Sequence, residues 1–272
     1  MRMNKVALLI PHYNNFRGLV TSINSIDSSE FIDIVIVDDG STREKIDEDV
    51  LIKAFKANGT IKFLYLQENK GIEHALNHGL DYILNNNYQF TARLDVGDVC
   101  VGKRFQIQHK FLEDNKNIKF IGANANAFDM EGNFLFRYNF PLKHSEIKKR
   151  IYLNAVFVHP TFMFDNEIIK TVGYYPTNYK SAEDFAFAMK VVKHFITENL
   201  EECLVNVEIN PNGISLSKRN QQIRSRLKVI KDNFYFGYYP IYGLFRNIII
   251  CITPNKWIAA LKKIKKRNDR LH

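Results

Sequence analysis

The sequence predicts an α/β fold in which a mostly parallel sheet is flanked by helices. Four mostly apolar runs of strand length alternate with segments of helical spacing, and the runs cover residues 6–10, 32–37, 61–66 and 88–94. The first is continuously apolar, which is typical of a parallel strand buried on both faces. Three of the runs end in polar clusters. Because the carboxyl ends of parallel strands share one edge, where open α/β sheets bind ligands, we expect a ligand site there.

Length, composition and cysteine content restrict the class of protein. A chain of 272 residues has room for one large α/β domain and an appendage, and 46% hydrophobic residues exclude a disordered chain. The three cysteines, Cys100, Cys203 and Cys251, lack the spacing of a metal site, as expected for a reduced, cytosolic compartment. The apolar run before Pro11 is five residues long, which is too short for a secretory signal.

The net charge of +9 is concentrated in the carboxyl-terminal part of the chain. Residues 217–272 contain fourteen Lys and Arg against two acids, Asp232 and Asp269, so this part carries +12 and the remainder −3. A basic tail predicts an anionic partner, either lipid headgroups or nucleic acid. Aromatic and aliphatic residues interleave with the charges, which argues against a merely solvated helix face.

The second strand is followed by a cluster of acids and hydroxyls. Asp38 and Asp39 precede a glycine, and Ser41 or Thr42 is expected to cap a helix that continues through Val50. The third strand leads to the segment 68–71, which opens another helix. That helix carries an apolar stripe at Ala75, Leu76, Leu80 and Ile83.

The fourth strand ends in Asp95-Val96-Gly97-Asp98. Two carboxylates on a tight turn suit a hard divalent cation that already carries phosphate oxygens. The alternative is that these acids cap a helix starting near Val101. Because no glycine fingerprint follows the first strand, a dinucleotide-binding oxidoreductase is disfavoured.

Residues 124–140 predict a hairpin with its turn at Gly132, which would add antiparallel strands to the sheet. Residues 234–253 are mostly apolar but interrupted, which favours an interfacial helix over a spanning one. An apolar stripe follows at Trp257, Ile258, Leu261 and Ile264 among basic residues, as in an amphipathic helix on an anionic leaflet. The alternative is a helix packed on its own domain or on a second subunit, which would make a homodimer.

Four segments, taken together, resemble the nucleotide-sugar half of family 2 glycosyltransferases. They are Ile-Pro-His-Tyr-Asn at 10–14, Val-Asp-Asp-Gly-Ser at 37–41, Asn-Lys-Gly at 69–71, and Ala-Arg-Leu-Asp-Val-Gly-Asp at 92–98. Further segments resemble the acceptor half of the family, and they lie at 159–164, 172–175, 182–185 and 213–219. The resemblance covers about residues 5 to 225, and four motifs in register are far more specific than one.

The resemblance implies a GT-A fold, a Rossmann-like mixed sheet flanked by helices, that binds a nucleotide-sugar with Mn2+ or Mg2+ and transfers the sugar with inversion. We expect a catalytic domain at 1–225, with nucleotide-sugar binding at 1–100 and the acceptor side at 101–225. A helical, basic amphipathic extension is expected at 226–272. The family's metal motif is usually Asp-x-Asp-Asp, and here Gly97 stands where the middle carboxylate would be.

The resemblance also implies roles for individual residues. Asp184 is the expected catalytic base, because it is the second acid of the Glu183-Asp184 pair; the alternative for both is that they are helix N-terminal acids. Asp95 and Asp98 are the expected metal ligands. The expected donor-binding residues are Pro11, His12, Tyr13, Asp38, Asp39, Asn69, Lys70, Gly71, Arg93, Asp95, Val96, Lys218 and Arg219. The acceptor-side candidates are His159, Glu183 and Tyr174.

Several of these residues have structural alternatives. Arg93 would orient a phosphate or pair with Asp95, and Asp39 would contact uracil or ribose or cap the next helix. His159 is as well explained by a structural role, and core packing is the better default for the two tyrosines at 174 and 175.

The expected function is transfer of a hexosyl or N-acetylhexosaminyl group from a nucleotide-sugar, expected to be a UDP-sugar, to a glycan or lipid-linked acceptor. This would serve cell-surface polysaccharide synthesis of bacterial type on the inner face of the cell membrane, where the protein would be cytoplasmic and peripheral. The alternatives are a nucleotidyltransferase and a nucleotide- or nucleic-acid-binding protein that uses the basic tail. The tail lacks an RNA-binding signature, and acids at the strand ends oppose a phosphate backbone, so no nucleic-acid partner is expected.

Overall fold

The computed structural model describes residues 4–210 and 218–253, and it has the predicted α/β architecture. The strands are β1 (Val6–His12), β2 (Asp33–Asp38), β3 (Ile61–Tyr65), β4 (Phe90–Arg93), β5 (Val99–Cys100), β6 (Ile118–Phe128), β7 (Phe134–Tyr138), β8 (Met163–Asp165) and β9 (Ile196–Glu208). The helices are α1 (Phe16–Asn24), α2 (Glu48–Ala54), α3 (Ile72–Asn85), α4 (Arg104–Asp114), α5 (His144–Arg150), α6 (Ile169–Val172), α7 (Glu183–His194), α8 (Arg219–Asp232) and α9 (Tyr238–Ile252). Short 3-10 helices cover His159–Thr161 and Asn166–Ile168.

The described strands form one mixed sheet in the order β3-β2-β1-β4-β8-β6-β9-β5, with β7 paired to β6. Strands β1 to β4 are parallel where they pair. Strand β8 is antiparallel to both β4 and β6, so it joins the parallel half to the rest. The carboxyl ends of β1, β2 and β4 therefore meet at one edge, as the sequence predicted.

The core fills both faces of the sheet. Leu9 and Val37 pack on one face against Leu76 of α3, whereas Leu8 and Ile36 pack on the other face. All six residues of β2 are buried. Burial on both faces explains the continuous apolar stretches at residues 6–10 and 34–37.

The predicted hairpin at 124–140 is confirmed. Strands β6 and β7 pair antiparallel, with Ala125 opposite Tyr138. Gly132 lies in the connecting turn at φ +83°, a left-handed conformation that glycine adopts at little cost.

The prediction that Ser41 or Thr42 caps a helix is wrong. Helix α2 begins only at Glu48, where the side chain of Asp47 accepts a hydrogen bond from the N–H of Val50. The preceding loop is instead tied to Asn14, whose Oδ1 accepts from the backbone N–H groups of Thr42, Arg43 and Glu44. A side chain far away in sequence thus satisfies the donors that an early helix would have used.

The alternative considered for Asp95 and Asp98, that they cap a helix starting near Val101, is also wrong. Residues 99–100 form strand β5, which pairs antiparallel with β9. Helix α4 starts at Arg104 behind Lys103, which makes no side-chain capping hydrogen bond. The acids at 95 and 98 are therefore not helix caps.

At the carboxyl end, helix α8 runs through the expected domain boundary at 225/226, and the division into catalytic domain and extension stays a prediction. Arg246 and Asn247 of α9 bind the backbone carbonyls of Leu153 and Tyr152. The apolar stripe Trp257, Ile258, Leu261 and Ile264 lies outside the described residues. Of the helices that the structure describes, none is long and apolar enough to cross a bilayer.

Candidate active site

Buried His12, at the end of β1, contacts buried Asp38, at the end of β2. His12 Nε2 accepts a hydrogen bond from the N–H of Asn15, so the proton on Nδ1 faces Asp38 Oδ2 at 3.4 Å. The other oxygen of Asp38 accepts from the N–H of Ser41 at 2.6 Å. Burial lowers the pKa of the His12 imidazole, which keeps it neutral at pH 7. Both side chains are buried and shape the loop after β2.

Asp39 connects this loop to the start of α3. Its two carboxylate oxygens accept hydrogen bonds from the backbone N–H groups of Lys70 and Gly71, each at 2.9 Å. Burial raises the pKa of Asp39, and these two hydrogen bonds lower it. Asp39 thereby fixes the 68–71 segment against β2.

Arg93 is a fully buried cation at the end of β4. Its Nη2 donates to Asp95 Oδ1 at 2.6 Å, and Nη1 donates to the carbonyls of Leu9 and Leu94. Its Nε lies 3.4 Å from His159 Nε2. Every guanidinium nitrogen of Arg93 has a partner within the chain. The sequence left open whether Arg93 orients a phosphate or pairs with Asp95, and the structure shows the pair with Asp95.

His159 continues this network behind the sheet edge. Its Nε2 faces the Tyr175 hydroxyl at 3.1 Å as well as Arg93. Burial, and then the charge of Arg93, lower the pKa of His159 to about 4, so the ring is neutral and accepts hydrogen bonds at Nε2. Tyr175 stacks on Phe187 with ring centroids 4.3 Å apart. Buried contacts thus run from Tyr175 through His159 to Arg93, and Arg93 holds the carboxylate of Asp95.

Asp98 is buried and bonded to the neighbouring strand. Its Oδ1 accepts from the N–H of Glu208 at 3.0 Å, and its carbonyl accepts from the hydroxyl of Ser22 at 2.9 Å. Burial, and then the charge of Asp95, raise the pKa of Asp98 well above its ordinary value. Gly97 has a φ of +98°, and a Cβ there would lie 3.6 Å from Glu208 Oε1. Glu208 thus presents a carboxylate beside the position of the missing acid.

The donor set suits a divalent cation that takes most of its ligands from a bound diphosphate. Asp95 has one oxygen outside the Arg93 hydrogen bond, and Asp98 contributes a second carboxyl group. Throughout the described residues, no group of three or more His, Cys, Asp or Glu is arranged to hold a metal ion. Mg2+ is commonly bound by one or two carboxylates together with substrate phosphates, and this set fits that pattern.

Glu183 and Asp184 form the first turn of α7, as predicted. Glu183 is buried, and its Oε2 has no hydrogen-bond partner among the described residues. Burial, and then the charge of Asp184, raise the pKa of Glu183 to about 8. Glu183 therefore keeps its proton at neutral pH, and Asp184 is the partly exposed acid of the pair.

The acids from the two halves of the sequence converge on the buried network. The charges of Asp95 and Asp184 both raise the pKa of His159, and both raise that of Tyr175. The charge of Asp95 also raises the pKa of Glu183. Hydrogen-bonding distances link Asp95 through Arg93 and His159 to Tyr175, and Tyr175 stacks on Phe187 of α7, so the strand end at Asp95 is connected to the helix that begins with the acid pair.

Arg226 of α8 is a further candidate for the site, and the sequence did not reveal it. Its guanidinium lies 4.9 Å from the ring centroid of Phe185. Burial lowers the pKa of Arg226, and the charge of Asp184 raises it. This places a cation beside the expected base. The sequence contains five basic residues in α8, with no pattern that marks this one.

The remaining predicted residues are exposed or partly exposed. Tyr13, Asn69, Lys70 and Lys218 are exposed, and Pro11, Gly71, Val96 and Arg219 are partly exposed. The Tyr174 hydroxyl donates to Asp81 Oδ1 of α3 at 2.6 Å, whereas Tyr175 is the buried tyrosine of the network. The roles given to these residues in donor and acceptor binding stay predictions.

Comparison with known sequences assigns the family. Residues 7–173, more than half of the chain, match the profile described as Glycosyl transferase family 2. The chain belongs to glycosyltransferase family 2. It is 27% identical over 250 residues to the bifunctional glycosyltransferase pgtA of Dictyostelium discoideum, covering 77% of this chain and 31% of that protein. The chain thus spans about a third of the length of that relative.

A bacterial relative matches over most of both proteins. The O-antigen biosynthesis glycosyltransferase WbnJ of Escherichia coli is 24% identical over 212 residues, which cover 76% of this chain and 80% of WbnJ. This family 2 chain is therefore similar to an enzyme of surface-polysaccharide synthesis.

Solved structures of similar shape show that the fold is GT-A. S. aureus TarS residues 1–349 in complex with UDP matches with a TM-score of 0.64 and 19% identity, over 88% of this chain and 69% of that one. The mannosyltransferase PcManGT from Pyrobaculum calidifontis, in complex with GDP-Man and Mn2+, matches with a TM-score of 0.62 and 12% identity, over 96% and 79%. In these two structures, UDP is bound to TarS and GDP-Man is bound to PcManGT.

Proposed function

We propose that this protein is an inverting glycosyltransferase. It moves a hexosyl or N-acetylhexosaminyl group from a UDP-sugar to a hydroxyl of a glycan or lipid-linked acceptor in the synthesis of a cell-surface polysaccharide. The observation that carries the proposal is the buried chain of contacts from Asp95 through Arg93 and His159 to Tyr175, which stacks on Phe187 of the helix whose first turn holds Asp184. It supports a site in which Asp95 serves the donor and Asp184 serves the acceptor.

The acceptor hydroxyl is a poor nucleophile until it loses its proton. Asp184 takes that proton while the hydroxyl oxygen bonds to the anomeric carbon of the donor sugar. The bond from that carbon to the diphosphate oxygen breaks, and the nucleoside diphosphate leaves with the bonding electrons. Because attack and departure occur on opposite faces of the sugar, the anomeric configuration inverts.

The leaving diphosphate gains negative charge that the site has to stabilise. Asp95 and Asp98 would hold Mn2+ or Mg2+, which supplies Lewis-acid stabilisation of the diphosphate when bound. Arg93 orients Asp95 for this task through the 2.6 Å hydrogen bond. Arg226 adds positive charge next to Asp184.

The donor and acceptor classes are supported by the relatives. TarS has been solved with UDP and with UDP-GlcNAc, which supports a UDP-sugar donor. PcManGT was solved with GDP-Man, so a guanosine donor is the main competitor. WbnJ and the amylovoran biosynthesis glycosyltransferase AmsE support a polysaccharide product. We place the reaction on the cytoplasmic side of the cell membrane, where a lipid-linked acceptor would be within reach of a peripheral enzyme.

A donor panel tests the reaction class. Full-length protein is incubated with UDP-, GDP- and dTDP-sugars, Mn2+ and a lipid extract, and free nucleoside diphosphate is measured. A parallel incubation supplies UTP and a sugar 1-phosphate, and pyrophosphate is measured there. We expect free UDP from at least one UDP-sugar. Pyrophosphate in place of UDP would support a nucleotidyltransferase instead, and GDP release alone would replace the uridine donor with a guanosine donor.

A further inference from the structure

The outer face of helix α9 is an uncovered apolar surface. It consists of six large side chains, and they are Tyr238, Ile241, Tyr242, Phe245, Ile248 and Ile249. Their spacing of three and four residues places them on one side of the helix. Tyr238 is 73% exposed and Phe245 is 62% exposed, and Phe236, just before the helix, is 93% exposed. Side chains of this kind are rarely grouped at a protein surface without a partner.

The orientation of α9 is fixed by its opposite side. Asn247 is buried and donates to the carbonyls of Tyr152 and Gly243. Arg246, the one charged residue of this helix, points inward and donates to the carbonyl of Leu153 at 2.6 Å. A Cβ at Gly243 would lie 2.3 Å from the Tyr152 carbonyl oxygen, so the helix packs closely here. The outer face therefore cannot turn into the core without breaking these contacts.

The surroundings of this face are basic. Arg246 of α9 donates to the carbonyl of Leu153, three residues after α5, whose last turn carries Lys148, Lys149 and Arg150. Helix α8, which packs on α9, carries five Lys and Arg against Asp232. The sequence after Thr253 contains seven Lys and Arg against Asp269, a net charge of +6. An uncharged, largely aromatic face on a helix that packs against the basic helix α8 is complementary to an anionic lipid surface.

We propose that the outer face of α9 docks the protein on an anionic membrane, with the helix in the plane of the interface. Tyrosine and phenylalanine suit the headgroup boundary because each has an apolar ring and tyrosine also has a polar tip. A second copy of the chain is a poorer occupant. A two-fold contact through α9 would bring the basic surroundings of one copy against those of the other, which costs free energy.

Vesicle flotation with matched variants tests this surface. Full-length protein is mixed at low salt with vesicles of phosphatidylglycerol or of phosphatidylcholine. The test variant is Phe245→Glu/Ile249→Glu. The matched control is Val50→Glu/Ile52→Glu, which replaces two exposed aliphatic residues of α2 in the same way. UDP binding and thermal unfolding are measured for all three proteins, so that loss of the fold is separated from loss of docking.

We expect wild type and control to float with phosphatidylglycerol and far less with phosphatidylcholine. The test variant should partition at least about tenfold more weakly, since two large apolar side chains no longer leave water. The proposal is overturned if wild type stays unbound, or if the test variant floats like the control. It is also overturned if wild type and control are dimers, the test variant is a monomer, and neither wild type nor test variant floats. Because UDP binding is measured separately, failure here leaves the proposed reaction standing.

Discussion

Arg93 Nη2 lies 2.6 Å from Asp95 Oδ1, although the arginine side chain is completely buried and the aspartate is partly exposed. The arginine is anchored by the carbonyls of Leu9 and Leu94 and by His159. The partly exposed carboxylate of Asp95, at the edge of the sheet, is therefore held by the buried cation of Arg93. This gives the short acidic turn a defined orientation.

Replacing Arg93 with Met should lower the free energy of unfolding by about 3 kcal/mol or more, because the carbonyls and Asp95 lose a buried charged partner. Urea unfolding followed by circular dichroism measures this. The matched control is Arg137→Met, since Arg137 is exposed and donates to the carbonyl of Glu201. A loss for Arg93→Met no larger than that of the control would show that the buried network does not stabilise the fold.

The metal prediction is tested best with a conservative change at Asp98. Asp98→Asn keeps an oxygen that can accept the hydrogen bond from the N–H of Glu208, and it removes the negative charge. We expect Mn2+ to tighten UDP binding to wild type in calorimetric titrations, and this increment to be much smaller for Asp98→Asn. Thermal unfolding should show that the variant stays folded. If chelation of the metal leaves wild-type UDP binding unchanged, basic residues such as Arg226 hold the diphosphate in place of a metal.

Glu183 should make stability depend on pH in a defined direction. Its pKa is raised from 4.5 to about 8 in the folded protein, chiefly by burial. Between these values the folded state retains a proton that the unfolded state has released, so stability falls as pH rises from about 4.5 to 8. Glu183→Gln removes this titration.

The melting temperature of Glu183→Gln relative to wild type should therefore be higher at pH 8 than at pH 5. Thermal scans of both proteins at the two pH values measure the difference. Glu202→Gln is the matched control, because Glu202 is exposed and lies in β9 rather than in α7. An offset between Glu183→Gln and wild type that is the same at both pH values would contradict the raised pKa.

The strands and the site edge could be predicted because local sequence determines them. All residues of β2 are buried and four of them, 34–37, form a continuous apolar run; the acid at its carboxyl end, Asp38, lies at the edge where it was expected. The start of α2 could not be predicted, because Asn14 binds the backbone of the loop before it. Glu208 and Arg226 were missed for a related reason. Each reaches the site through strand pairing or helix packing with residues distant in sequence.

The central claim is that Asp184 takes the proton of the acceptor hydroxyl, and one comparison tests it most directly. UDP release from a UDP-sugar in the presence of acceptor is measured for wild type and Asp184→Asn, together with UDP affinity. Asp114→Asn, at an exposed ion pair on α4, is the matched control. We expect Asp184→Asn to lose about a hundredfold or more in rate while its UDP affinity stays within a few fold, since a general base acts on the acceptor alone. A variant that keeps more than about a tenth of the wild-type rate would contradict the account.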